Sequence, residues 1–138
     1  MIVEIKDNLT VNEYNNLRES IGWNIKDTSI VENAINNSTI IKKAIVNNKT
    51  VGMARVIGDG MYYLIVDVVV SPEYQRNGIG KKIIDEIIEK IGNRTEKGQT
   101  SSINLMSIDG KEAFYEKCGF TKVPFGYTGY GMIRRIEK

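Results

Sequence analysis

The sequence predicts one α/β domain over residues 1–138, built on a mixed, mostly antiparallel sheet of six to seven strands with about four helices on its faces. Two patterns predict this class. Runs rich in β-branched residues are joined by short turns of Gly, Asn and Asp, as in antiparallel sheets. From Ile79 to Ile91, isoleucines recur at helical spacing and form one apolar stripe. Because such a stripe needs an apolar surface to cover, the two patterns together predict helices packed on a sheet.

Two capping boxes predict two short helices near the N-terminus. In Thr10-x-x-Glu13 and Ser29-x-x-Glu32, the hydroxyl and the carboxylate have the spacing at which each satisfies a backbone N–H at a helix start. The helices are expected to span Val11–Ile21 and Ile30–Asn37. Between them lies the loop Gly22-Trp23-Asn24, which carries the only tryptophan.

The middle of the chain predicts an antiparallel meander of three strands. The runs are Thr39–Val46, Thr50–Ile57 and Met61–Val70, joined by Asn47-Asn48-Lys49 and Gly58-Asp59-Gly60. The third run is the most apolar of the chain, yet it has about half of the ~20 residues that span a bilayer, and it contains Asp67. It therefore predicts a buried strand, and no membrane partner is expected.

The C-terminal part predicts short elements around the long helix that starts at Ile79. The stretch Gly92–Ser102 is polar and predicts a loop, and Gly119 is expected to end the last helix in the left-handed conformation. The expected elements are a strand at Ile103–Met106, a helix at Gly110–Lys117, and closing strands at Thr121–Phe125 and Met132–Ile136 around the loop Gly126–Gly131.

The composition excludes several kinds of site. With no histidine and one cysteine, the chain has no imidazole base or ligand, no Cys-His or Ser-His-Asp site and no disulfide framework, so no metal is expected. The net charge is +2, and Lys and Arg are scattered among acids, so no nucleic-acid partner is expected. The opening MIVEIKDNLT lacks the basic flank and apolar stretch of a signal peptide, which predicts a cytoplasmic protein.

The segment after the third strand carries the chemistry, because a turn there leads to Gly78 and Gly80 at the start of the amphipathic helix. Glycines at that point let backbone N–H groups face outward together, and the helix N-terminus adds roughly half a positive charge, so the turn can hold a phosphate or pyrophosphate. Three cations lie nearby in sequence: Arg76, Lys81 and Lys82. The alternative is a tight turn whose glycines serve helix–strand packing. The spacing fits neither a Walker loop nor a Rossmann fingerprint.

Two segments resemble hallmarks of the GNAT N-acetyltransferase superfamily. The string V-V-V-S-P-E-Y-Q-R-N-G-I-G-K, from Val68 to Lys81, closely resembles the acetyl-CoA motif of that family, Gln/Arg-x-x-Gly-x-Gly/Ala after a strand. The string A-F-Y-E-K-C-G-F, from Ala113 to Phe120, resembles a second hallmark, an F-Y-x-x-x-G-F helix end. The order of elements from Ile2 to Ile136 agrees as well, so the resemblance covers nearly the whole chain.

The resemblance implies an acetyl-CoA site. In the family, the fourth strand diverges from the fifth, and its backbone pairs with the pantetheine arm as an added strand would. One backbone N–H of that strand would polarise the thioester carbonyl, and the turn would hold the pyrophosphate. The residues that match these parts are Val68, Val69, Val70, Gln75, Arg76, Asn77, Gly78, Ile79, Gly80 and Lys81.

The resemblance also implies a general acid, and it leaves the base open. Tyr115 matches the tyrosine that protonates the departing CoA thiolate, and the alternative is a tyrosine packed on the sheet. Relatives often carry a glutamate on the fourth or fifth strand, but Ile103–Met106 contains no acid. Asp67 is the only charge in its apolar run. It either removes the proton of the amine or attracts the substrate cation, or it satisfies backbone groups at a strand bulge.

The acceptor slot of the family is formed by the loop between the first two helices and by the loop before the last strand. These loops carry Trp23, Tyr127 and Tyr130, whose rings can hold a cation or an aryl group. For Trp23 the alternative is a core anchor. Strings such as V-G-M-A-R-V-I-G-D-G are similar to the branch that includes aralkylamine acetyltransferase-like proteins.

The expected function is transfer of acetyl from acetyl-CoA, used as a co-substrate, to a primary amine of a small molecule by direct attack. Two alternatives stay open: acetylation of a protein lysine or N-terminus, and a non-catalytic module that binds or senses acetyl-CoA. A homodimer is left open too.

Overall fold

A five-stranded sheet in the order β1-β2-β3-β4-β5 is the frame of the fold in the computed structural model, which describes all 138 residues. The strands are β1 Glu4–Lys6, β2 Ile40–Val46, β3 Lys49–Gly58, β4 Tyr62–Val70 and β5 Ser102–Leu105. The first four strands pair antiparallel, and β5 pairs parallel to β4. The prediction of a mixed, mostly antiparallel sheet is confirmed, but its number of strands, six to seven, is wrong.

Four α-helices accompany the sheet, as the sequence predicts: α1 Val11–Ser20, α2 Thr28–Asn36, α3 Ile79–Arg94 and α4 Glu112–Lys117, with a 3₁₀ turn at Pro72–Tyr74 before α3. None of them combines the length and apolar character that crossing a bilayer requires. The chain divides into two compact units, Met1–Met106 and Ser107–Lys138. The first contains the whole sheet and α1 to α3, and the second contains α4. A single domain over residues 1–138 stays a prediction.

The two expected closing strands, Thr121–Phe125 and Met132–Ile136, are absent. The first contains Pro124, which has no N–H to donate to a ladder, and its last residue bonds into a turn with Thr128. The second has no partner strand, and a strand without a partner leaves its backbone groups unpaired. The apolar side chains of Met132, Ile133 and Ile136 are exposed.

The two predicted capping boxes differ in outcome. At α1 the box is present: the Thr10 hydroxyl accepts from the Glu13 N–H at 3.1 Å, and the Thr10 N–H donates to the Glu13 carboxylate at 2.9 Å. At α2 the prediction is wrong, because the helix begins at Thr28 after an Asp27 cap that makes no side-chain bond. Ser29 therefore lies inside the first turn and not at its start.

Two apolar layers cover opposite faces of the sheet. On one face lies the isoleucine stripe of α3, and its members Ile79, Ile83, Ile84, Ile87 and Ile91 are all buried. Gly52 on β3 lets this helix approach, since a Cβ there would lie 3.2 Å from Ile83 Cδ1. Met53, the next residue, points to the other face and joins the cluster formed with α1 and α2, because successive strand residues alternate between faces.

Glu13 fastens α1 to the sheet. Its carboxylate accepts from Lys43 Nζ at 2.8 and 3.0 Å and from the Thr50 hydroxyl, besides the backbone of Thr10. Burial alone would raise the pKa of Glu13, but these hydrogen bonds outweigh it and lower that pKa from 4.5 to about 2. The charged form of Glu13 therefore contributes to stability.

The free energy of unfolding should fall between pH 4.5 and about pH 2, the two pKa values of Glu13. Its contribution is fully present above pH 4.5 and is lost as the carboxylate is protonated in the folded state. We expect a loss of up to about 2 kcal/mol, a value reduced for solvent screening. Urea unfolding at a series of pH values measures it. In Glu13→Gln this part of the slope should disappear, and an unchanged slope would contradict the assignment.

Candidate functional site

The edge of β4 is open beyond its middle. Strand β5 pairs with β4 only from Tyr62↔Ser102 to Ile65↔Leu105, whereas β4 continues to Val70. No strand therefore lies beside Val66–Val70 on this side, and β4 pairs there with β3 alone. An open strand edge presents backbone N–H and C=O groups to whatever extended chain lies beside it. Val68, Val69 and Val70, the residues expected to contact the pantetheine arm, lie in this segment.

A bulge interrupts β4 where its edge opens. Arg55 pairs with Val66, but Met53 pairs with Val69, so one residue of β3 faces both Asp67 and Val68. Asp67 has φ +54°, in the left-handed region that non-glycine residues seldom occupy. Such a bulge turns the strand and redirects the backbone groups that follow it.

The Asp67 carboxylate is held by three side chains. Its Oδ2 accepts from the Tyr14 hydroxyl and from Arg55 Nε, both at 2.8 Å, and its Oδ1 lies 3.6 Å from Arg18 Nη1. We call Tyr14, Arg18 and Arg55 the bulge clamp. Burial, and next the charge of Asp67, raise the pKa of Tyr14, so its hydroxyl remains a donor. These partners are side chains and not the backbone groups named in the third interpretation of Asp67, and its role stays a prediction.

Trp23 contacts both Arg18 and the core cluster within its own unit. The Arg18 guanidinium lies 5.1 Å from the centroid of its ring, and the half-buried indole packs against the core cluster of α1 and α2. Arg18 Nε also donates to the carbonyl of Asn24 at 2.7 Å, which fixes the loop. The arrangement supports the core-anchor interpretation of Trp23, and its role toward an acceptor stays a prediction.

The turn after β4 is held by its own polar side chains. Gln75 Nε2 donates to the carbonyl of Val70 at 2.9 Å, and Asn77 Nδ2 donates to the carbonyls of Tyr74 and Gln75 at 3.1 and 3.2 Å. Arg76, between them, has φ +65° and is exposed. Gln75 and Asn77 thus shape the turn from within.

The start of α3 is suited to an anion. Gly78 is the N-cap, with φ +76° and no side-chain cap bond, and a Cβ built on it would meet nothing within 4 Å. The first N–H groups of a helix have no partner inside the helix, and here no capping side chain takes them. Ile79 is buried and anchors this turn, and Gly80 follows it. The residues present therefore fit a phosphate group.

The lysines expected near this turn have partners of their own. Lys81 Nζ donates to Asp85 at 2.6 Å, one helical turn along α3. Lys82 Nζ donates to the carbonyl of Val3 at 2.9 Å. The backbone of the turn and Arg76 are therefore the groups best placed to hold a pyrophosphate.

Tyr115 lies on α4 in the second unit, in an aromatic surrounding. Its ring makes edge contacts with Phe114 and Phe120, with centroid distances of 5.0 and 6.1 Å. Burial, and to a lesser extent Cys118, raise the pKa of Tyr115 to about 12. The hydroxyl therefore keeps its proton over the whole physiological range. Gly119 ends the helix with φ +94°, as the sequence predicts.

Tyr127 and Tyr130, expected to contact the acceptor, lie in the loop of the second unit and are 96% and 81% exposed. Their role stays a prediction.

A family model described as "Acetyltransferase (GNAT) domain" matches residues 37–122, which is more than half of the chain. The chain belongs to the GNAT acetyltransferase family. An uncharacterized N-acetyltransferase, ycf52, of Pyropia yezoensis is 34% identical to this GNAT chain. The alignment covers 92% of this chain and 78% of the relative. A chloroplastic GCN5-related N-acetyltransferase of Arabidopsis thaliana is 30% identical over 94% of the chain and 65% of the relative.

Solved structures agree with this assignment. A probable acetyltransferase of unknown function from meticillin-resistant Staphylococcus aureus superposes with a TM-score of 0.83 and 26% identity, over 97% of this GNAT chain and 100% of that protein.

Sequence reasoning missed the bulge clamp of this GNAT chain. One signal was available: Arg55 stands inside the β-branched run of β3, and Asp67 stands inside that of β4. A charge inside a buried strand needs a partner of opposite sign, so the two could have been paired in advance. Tyr14 and Arg18 carry no such signal, because their spacing on α1 is also that of an ordinary helix face.

Proposed function

We propose that the protein transfers an acetyl group from acetyl-CoA to a primary amine of a small molecule, by direct attack of the amine on the thioester. One observation carries the proposal. The connecting turn that follows the open strand edge Val66–Val70 leads to the start of α3 at Gly78, where no side chain caps the helix. The first suits an extended arm with amide groups, and the second suits a phosphate. Acetyl-CoA combines both groups in one molecule and supplies the acetyl thioester.

The backbone of this chain does most of the binding. Those N–H and C=O groups of Val68–Val70 that face the open edge, and not β3, pair with the pantetheine amides. One of these N–H groups donates to the thioester carbonyl oxygen and stabilises the negative charge that develops there during attack. The N–H groups at the start of α3, together with Arg76, hold the pyrophosphate. Gly78 leaves that space free, since nothing lies within 4 Å of a Cβ at this position.

Tyr115 donates a hydrogen bond to the leaving sulfur. A thiol of pKa ~8.5 is a stronger acid than a phenol whose pKa is about 12, so complete proton transfer to the thiolate is unfavourable by about 5 kcal/mol. A hydrogen bond to the developing negative charge needs no such transfer. Tyr115 thus stabilises the departing thiolate while keeping its own proton.

No carboxylate serves as the base in this mechanism. Strand β5, Ser102–Leu105, contains no acid, and the Asp67 carboxylate is held by the bulge clamp. The amine therefore arrives neutral or loses its proton to water. After attack its nitrogen releases a further proton to water, and CoA leaves as the thiolate. An alkylammonium has a pKa of about 10.4. Below that pH, the fraction of neutral amine increases about tenfold for each unit by which the pH is raised.

The acceptor is proposed to be a small amine with an aryl or apolar part, as in the aralkylamine acetyltransferase-like branch. The family resemblance assigns Trp23, Tyr127 and Tyr130 to its recognition, since aromatic rings can hold a cation or an aryl group. A cytoplasmic location stays a prediction, and so does a homodimer.

Release of CoA thiol, measured with acetyl-CoA against a panel of arylalkylamines, alkylamines, peptides and proteins, tests the function. We expect turnover with small amines and kcat/KM that rises about tenfold per pH unit between about pH 6 and 9. Tight binding of acetyl-CoA without turnover on any acceptor would favour the sensing module. Turnover confined to peptides or proteins would favour a protein acetyltransferase. A flat pH profile would point to a base on the protein.

A further inference from the structure

The strained residue of the bulge is also the residue that the clamp holds. Asp67 has φ +54°, and its carboxylate, 13% exposed, accepts two hydrogen bonds of 2.8 Å. A left-handed residue other than glycine persists only where its surroundings fix it. Asp tolerates this conformation better than most residues do, and a buried carboxylate requires partners. Through its side chain, the neighbouring elements can therefore hold the backbone of Asp67 in this conformation.

The clamp joins the bulge to the elements on the same face. Tyr14 and Arg18 come from α1. Arg55 comes from β3, and its Nη1 donates to the Ser38 hydroxyl at 3.0 Å and to the carbonyl of Ala34 on α2 at 3.3 Å. A rotation of the Asp67 backbone would break its contacts to α1 and to β3 at once. The bulge is thus fixed by side chains of α1 and β3 and not by the ladder of β4 alone.

The residues after the bulge are those with the open edge. Because Asp67 sets the direction in which the strand continues, it sets where the N–H groups of Val68–Val70 point. A donor that stabilises a developing charge has to point at the position of that charge before the reaction starts. A donor that points elsewhere loses most of its stabilisation of the transition state.

We propose that the bulge clamp positions the catalytic backbone: it holds Asp67 in the left-handed conformation and so aims at the thioester carbonyl the one N–H group of Val68–Val70 that donates to it. Asp67 is then a positioning residue and not the base. The proposal rests on the proposed function for its kinetic consequence, whereas its structural part concerns the free protein alone.

Three substitutions of Asp67 and the clamp separate these roles. Asp67→Asn keeps an oxygen acceptor and tolerates the left-handed conformation, so kcat should stay within about tenfold of the wild type. Asp67→Ala has neither property, and kcat should fall about 100-fold. Tyr14→Phe keeps the buried ring and removes one hydrogen bond, and kcat should fall about tenfold. The dissociation constant of CoA, measured by calorimetry, should rise by a smaller factor than kcat falls in each of the three, because the phosphate turn is untouched and only the pairing of Val68–Val70 with the pantetheine arm is weakened.

Glu13→Gln is the matched control, because it also removes an ion pair between α1 and the sheet but does not touch the bulge. Its kcat should stay within about twofold of the wild type. Hydrogen exchange of the free proteins gives a second readout. The amides of Val66–Val70 that are hydrogen-bonded to β3 should exchange faster in Tyr14→Phe and Asp67→Ala, and should keep their wild-type rates in Glu13→Gln.

Two results would overturn the proposal. If Asp67→Asn loses about as much rate as a missing general base, 100-fold or more, together with the acidic limb of the pH profile, then Asp67 is the base. If Tyr14→Phe leaves both kcat and the exchange of Val66–Val70 unchanged, the clamp positions nothing. Failure of the proposed function shows differently: the wild type then has no turnover with any amine, while hydrogen exchange still decides whether the clamp fixes the bulge.

Discussion

Tyr115→Phe should lower kcat by about 100-fold and leave the affinity for acetyl-CoA nearly unchanged. The reason is that the substitution removes only the hydroxyl. The ring contacts with Phe114 and Phe120, at 5.0 and 6.1 Å, remain available to phenylalanine. Without the donor, negative charge develops on the leaving sulfur unassisted. Stopped-flow measurement of thiol release, with calorimetry for acetyl-CoA binding, separates the two quantities.

The pH profile of the wild type is part of this prediction. Because the pKa of Tyr115 is raised to about 12, its ionisation should cause no loss of rate up to about pH 10.5. Tyr62→Phe is the control: it removes a hydroxyl from an exposed residue at the start of β4 and should leave kcat unchanged. An unchanged kcat in Tyr115→Phe would remove this hydroxyl from the mechanism.

The elements that sequence patterns predicted well are those whose pattern is local. The isoleucine stripe gave α3, and the β-branched runs with Asn-Asn and Gly-Asp-Gly turns gave β2, β3 and β4 within two residues of their observed ends. The expected strands after Gly119 failed for a non-local reason. A strand needs a partner, and no local pattern states whether one is present.

The site shows the same division. The sequence pattern placed glycines at the start of α3, and the family resemblance assigned the turn to the pyrophosphate; the left-handed φ of +76° is one reason why glycine stands at Gly78. The bulge clamp was not predicted, because its members come from α1 and β3 and meet Asp67 of β4 only after folding. The bulge could not be predicted either. The extra residue of β4 becomes visible only once the pairing of β4 with β3 is known.

Gly78→Val should abolish measurable binding of CoA, a weakening of 100-fold or more, which we expect from a side chain in the space of the pyrophosphate and from the lost helix-start geometry. The fold itself offers room, because a Cβ at Gly78 meets nothing within 4 Å. The protein should therefore remain folded, with a loss of about 1–2 kcal/mol from placing a branched residue at a left-handed φ. Calorimetry with CoA measures the loss of affinity. Pantetheine, which lacks the pyrophosphate, is the comparison ligand.

Two further variants separate backbone strain from lost space. Gly60→Val introduces the same strain in the turn between β3 and β4, at φ +96° with open space around it, and should lower stability without changing the affinity for CoA. Gly78→Asn adds a side chain that tolerates the left-handed conformation, and it should weaken CoA binding nearly as much as valine does. If Gly78→Val binds CoA like the wild type, the start of α3 does not hold the pyrophosphate. If only valine weakens binding and asparagine does not, the conformation of the turn matters and its open space does not.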